Sequence, residues 1–71
     1  MQYAADLSQI ENGEARTLDA TTFQAANDKD AATKGLDWAA TALAALGGIS
    51  SVVRLQIAQD GRGVLSKVYE L

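Results

Sequence analysis

NDKDAATKGLDWAATALAALGG, residues 27–48, is the stretch on which the fold turns. At about 100° per residue it places Ala31, Ala32, Gly35, Leu36, Trp38, Ala39, Ala42, Leu43 and Leu46 on one broad face. Lys29, Asp30, Thr33, Lys34, Asp37 and Thr41 fall on the other. Asn27 or Asp28 can accept an orphan amide hydrogen at the start. Asp28 and Asp30 lie in the first turn, where the helix dipole favours negative charge. Gly47-Gly48 supplies the stop, one glycine taking the left-handed position. The reading is one helix, ending at about Leu46. The middle of its apolar face is shallow, built from Gly35, Ala39 and Ala42. Gly35 costs about 1 kcal/mol of helix propensity relative to alanine. Close approach to a sheet is a physical reason to keep it.

Each side of this helix reads as a hairpin. Before it, Gln2 to Ser8 alternates with a period of two, Tyr3, Ala5 and Leu7 on one parity. Asn12-Gly13 follows, a strong hairpin signal because both residues tolerate positive φ. Ala15 to Ala25 reads as the returning strand. Its pattern slips between Leu18 and Phe23, and a bulge near Ala20 to Thr22 would bring both to the core. The competing reading is a short helix over residues 19–26, against which Thr21, Thr22 and Phe23 weigh by propensity. After the helix, Ser51 to Gln59 is the clearest strand, Asp60-Gly61 marks a second turn, and Val64 to Leu71 is the last strand. The expected fold is α+β: a single domain over residues 1–71, ββαββ in order, its four-stranded antiparallel sheet covered by the helix on one face.

Composition narrows the chemistry. The 71 residues include no cysteine and no histidine. Disulfides and thiolate metal sites are excluded, and so is the commonest acid–base group near neutral pH. Ser8, Ser50, Ser51 and Ser66 have no histidine to activate them, and Lys67 adjoins Ser66 but faces the other side of its strand. Asp28, Asp30 and Asp37 are the densest carboxylates, and helix capping and a solvated face account for them. Asp28-x-Asp30 lacks the further ligands of a calcium loop. Gly47-Gly48 follows a helix, and Gly61 to Gly63 sits in a hairpin, so neither has the strand-to-helix setting of a phosphate cradle. No catalytic, cofactor-binding or metal site is expected, and the chain is not read as an enzyme.

Charge and length narrow the partners. Six Lys and Arg against nine Asp and Glu leave a net charge of -3, which argues against binding mainly through phosphates. The contrary signal is a basic cluster on the last hairpin, Arg54, Arg62 and Lys67 near Tyr69, a faint likeness to a sheet that stacks bases. No stretch reaches the roughly 18 apolar residues that span a bilayer. Met1 to Ile10 has no basic, apolar leader, so the cytoplasm is the expected compartment.

A domain this short draws on the order of 3–5 kcal/mol from a single core, and association is a common supplement. With Asp60-Gly61 as the turn, positions 53, 55 and 57 pair with 64, 66 and 68. The core face then holds Val53, Leu55, Ile57, Val64 and Val68. The opposite face holds Val52, Leu65, Tyr69 and Leu71, with Arg54, Gln56 and Lys67 among them. One helix cannot cover both faces. The expected function is therefore protein contact, as a homodimer or with another protein, through Val52, Arg54, Leu65, Lys67 and Tyr69, with Trp38 a second contact at the helix edge. The alternative is a small nucleic-acid-binding or regulatory module using the last hairpin.

The run Thr22-Phe23-Gln24-Ala25-Ala26-Asn27-Asp28, then Ala31 and Leu36-Asp37-Trp38-Ala39, resembles a pattern in short bacterial domains of unknown function. There a strand ending in an aromatic and small residues runs into an acid-capped helix carrying a tryptophan, and a hairpin follows. The resemblance implies the ββαββ layout and a bacterial origin. It brings no activity and no functional residues.

Overall fold

A computed structural model describes residues 1–47 and 51–71. Gly48 and Ser50, named above, lie outside the described residues. The order is β1 (Gln2–Glu11), β2 (Glu14–Gln24), α1 (Asp28–Leu46), β3 (Val52–Gln59) and β4 (Arg62–Glu70). The four strands form one antiparallel sheet in the order β2-β1-β3-β4. The helix connection lets β3 pair with β1, so the two central strands come from different hairpins.

Both turns are of the mirror-image two-residue kind. Asn12 and Gly13 have φ of 52° and 77°, and Asp60 and Gly61 have 49° and 80°. Two consecutive left-handed residues match the twist of the flanking strands. Residues 19–24 are strand, as β-branched Thr21 and Thr22 and aromatic Phe23 favour. The bulge falls earlier than the sequence suggested. Leu7 pairs with Asp19 and Ser8 with Thr17, leaving Leu18 as the extra residue. The extra residue restores the parity that brings Leu18 and Phe23 against the core.

Asn27 is the N-cap, its side chain accepting from the Asp30 amide at 2.9 Å. Gly47, at φ 40°, closes the other end, its amide donating to the Leu43 carbonyl. The helix buries Ala31, Gly35, Ala39 and Ala42. Beneath them lie Tyr3, Ala5 and Leu7 of β1 and Val53, Leu55 and Ile57 of β3, each at most 2% exposed. Gly35 shows why this stripe is small. A Cβ there would collide with the Ile57 side chain, meeting Cγ1 at 3.0 Å. The helix sits on the sheet at a distance that excludes one methyl group.

Side chains at the N-terminal end of the helix lock it in place. Tyr3 donates its hydroxyl proton to Asp28 at 2.9 Å, and Arg62 grips the same carboxylate with two nitrogens at 2.9 Å each. Asp30 accepts from the Ala26 amide and pairs with Lys34, which also donates to the Gln24 carbonyl. These contacts hold Asp28 below the usual carboxylate range, through the Arg62 hydrogen bonds first and the Tyr3 hydroxyl second. Asp30 is lowered too, first by the Ala26 amide and then by Lys34. Burial, then the Asp28 hydrogen bond, pushes the Tyr3 hydroxyl up.

Lowered carboxylates contribute stability that is complete above their unfolded values, about 3.9, and lost as pH falls through the folded ones. A raised tyrosine contributes stability that is complete below about pH 10 and lost as pH rises further. With no histidine in the chain, the urea midpoint is expected to stay level from about pH 5 to about pH 9 and to fall on both sides. Asp28→Asn should flatten the acid limb. A midpoint that climbs on acidification below pH 4 contradicts this clamp.

Candidate functional site

One face of the sheet lies under α1, and among the described residues the other has no second layer. Which side chains occupy the bare face is decided by the β3–β4 register. Near the turn, Gln59 pairs with Arg62 and Ala58 with Gly63, as the two-residue turn requires. The next pair is Ile57 with Leu65, so Val64 is an extra residue. From there Leu55 pairs with Lys67 and Val53 with Tyr69. A single bulge moves every later side chain of β4 to the opposite face.

The sequence-based face assignment for β4 is thereby corrected. Leu65 and Tyr69, expected on the bare face, are half-buried and pack against the core beneath the helix. Lys67 stands between them on that side, its ammonium 5.0 Å from the centre of the Tyr69 ring. Val68, expected in the core, is 56% exposed on the bare face. Val64 does join the core side, because a bulge turns two consecutive residues the same way. Trp38 is half-buried on the helix flank. Of the expected contact residues, Val52 and Arg54 lie together on the bare face, while Leu65, Lys67, Tyr69 and Trp38 lie on the helix side.

The basic cluster on the last hairpin is divided by the same register. Arg54 is on the bare face, whereas Lys67 and Arg62 are on the helix side, and Arg62 is held by Asp28 and Gln59. No continuous positive stripe forms. Among the described residues, no three metal-capable side chains gather, and no helix is long and apolar enough to cross a membrane.

The bare face reads in rows across the sheet, since ladder partners point the same way. Thr22, Ala4, Ala58 and Gly63 form one row. Ala20, Asp6, Gln56 and Ser66 form the next, and Thr17, Ser8, Arg54 and Val68 the third. Ala15, Ile10, Val52 and Glu70 close it. Its middle is polar and its far end aliphatic: Ile10 is half-buried, Val52 37% exposed, and Val68 adjoins them from the third row. Ile10 was missed because β1 continues past Ser8 to Glu11, and its even parity marked the face once that length was known. Val68 was hidden by the bulge. Arg54 is half-buried between Ser8 and Val68, and its Nε is buried with no hydrogen-bond partner.

No family model, no curated protein and no solved structure matches the chain. The site therefore rests on its own geometry.

Proposed function

We propose that this domain is a protein-contact module, not a catalyst, and that it pairs with its own copy through the bare face of the sheet. The observation that carries this is the aliphatic end of that face, where Val68 and Val52 are open to solvent beside Ile10 with no second layer over them. An antiparallel sheet that faces water ordinarily shows polar side chains there. A second layer over this end removes apolar area from water and adds to the thin margin of a 71-residue core. Protein is favoured over nucleic acid by the net charge of -3 and by the separation of Arg54 from Lys67 and Arg62.

Two substitutions on adjacent residues separate contact from core. Val68→Glu changes an exposed side chain, so folding should stay within about 0.5 kcal/mol of the parent while association is lost. Tyr69→Glu places a charge against the core and should destabilise the fold itself. Size-exclusion chromatography with light scattering at tens of micromolar, alongside far-UV circular dichroism, reads both. A parent chain that elutes at 7.4 kDa, or a Val68→Glu variant that still dimerises, rejects the reading.

A further inference from the structure

The bare face has two unlike ends. One carries Ile10, Val52 and Val68. At the other, Ala4, Ala58 and Gly63 have little or no side chain, and two open depressions of about 490 and 340 Å³ meet at Ala58. Gly63 is the informative residue. A Cβ built on it meets nothing within 4 Å, and its φ is outside the left-handed region. Gly63 adjoins the β4 bulge at Val64, and no neighbour within the domain needs the space a side chain would take. Glycine in a strand marks a bulge, and it also leaves room for another chain to come close.

Between the two ends lie opposite charges that enter no ion pair among the described residues. The ion pairs among the described residues are Lys34–Asp30 and Arg62–Asp28. Arg54 takes part in neither. Asp6, which lines the larger depression, accepts a long hydrogen bond from the Ser8 hydroxyl, at 3.4 Å, and no other among the described residues.

We infer that the occupant of the bare face is a second copy seated so that Arg54 of each chain pairs with Asp6 of the other. Val68 of each then lies over the hollow end of its mate. This rests on the self-association proposed above and specifies its geometry. Strand spacing of about 4.8 Å and a rise of about 3.3 Å per residue set Asp6 and Arg54 roughly 8 Å apart in the plane of the sheet. A two-fold axis lying between stacked sheets and bisecting that line exchanges the two residues, giving two identical ion pairs at the centre of the contact. The same rotation carries Val68 of one chain over Ala4 and Ala58 of the other, and Val52 over Ala20 and Thr22. The strands of the two sheets then cross steeply, nearer the orthogonal class of sheet packing than the aligned one. The bare backbone at Gly63 leaves room for the second chain to come down beside it.

Charge reversal tests the pairing. Asp6→Arg alone sets two arginines against each other, and Arg54→Asp alone sets two aspartates. Each should weaken the dimer by at least about a hundredfold, since opposed like charges cost several kcal/mol and the two-fold axis makes every clash twice. The combined Asp6→Arg, Arg54→Asp chain restores opposite charges and should return most of that affinity in sedimentation equilibrium. Gly63→Val, which meets nothing in its own chain, should keep the fold and lose the dimer. Should a reversal variant unfold, mixing Asp6→Cys and Arg54→Cys chains with a short bis-maleimide gives a second readout, because the parent has no cysteine. The mixture should cross-link far more than either chain alone. Reversals without effect, a double variant no better than the singles, or no preference for the mixed cross-link overturns this pairing while leaving self-association standing. A monomeric parent chain overturns both.

Discussion

Leu55→Ala is expected to leave little folded protein at 25 °C. Leu55 lies on a central strand, paired with Leu7 on one side, and is completely buried beneath the helix. Truncating a buried leucine costs about 2–5 kcal/mol, part of it for the cavity that a rigid surround cannot close. A single core of this size supplies only on the order of 3–5 kcal/mol. The substitution therefore removes most or all of the margin. Urea unfolding followed by Trp38 fluorescence and far-UV circular dichroism reads the loss. The experiment belongs at low micromolar concentration, where association contributes least to apparent stability. A loss under 1 kcal/mol would mean that Leu55 is not at the centre of the packing.

Gly35→Ala should destabilise the domain although alanine is the better helix former. The propensity gain is about 1 kcal/mol. Against it stands the new Cβ, which meets Ile57 on its Cδ1 and Cγ1. Ile57 is 1% exposed, so its Cδ1 must make room inside the packed core, and overpacking of this kind costs about 1–3 kcal/mol. Gly35→Val adds two more methyl groups and a β-branch to the same collision and should abolish cooperative unfolding. The mechanism has a specific rescue. Ile57→Val deletes the Cδ1 that is struck, so in that background Gly35→Ala should be neutral or stabilising. A double-mutant cycle that finds no coupling between the two positions contradicts the close approach of helix and sheet.

Much of this arrangement is readable from local chemistry. Asn12-Gly13 and Asp60-Gly61 mark both turns, because few residue pairs take two left-handed conformations in succession. The Asn27 cap, the small stripe through Gly35 and the Gly47 stop mark the helix. Leu18 betrays its bulge, since Leu18 and Phe23 fall on opposite parities and only an extra residue reconciles them. Val64 gives no parity sign, and only Gly63 before it marks a bulge. In β4 one parity carries Val64 and Val68 and the other carries Leu65 and Tyr69, so either register offers the helix two apolar side chains. Tertiary packing resolves the tie: Leu65 and Tyr69 have more apolar surface to bury than Val68, and the bulge delivers them to the core. The bare face was legible as a place. Its contents beyond Val52 and Arg54 were not, because they depend on a one-residue register shift that hydrophobic parity does not encode and that Gly63 alone marks.

The most direct test of the central claim is an isotope-filtered NOE experiment on a mixture of ¹³C-labelled and unlabelled chains. It reports only contacts between copies. Cross-peaks should link the Val52 and Val68 methyl groups of one chain to Ala4, Ala20 and Ala58 methyl groups of the other. Interchain peaks confined to Leu65, Tyr69 and Trp38, or none at all at millimolar concentration, would contradict pairing through the open side of the sheet.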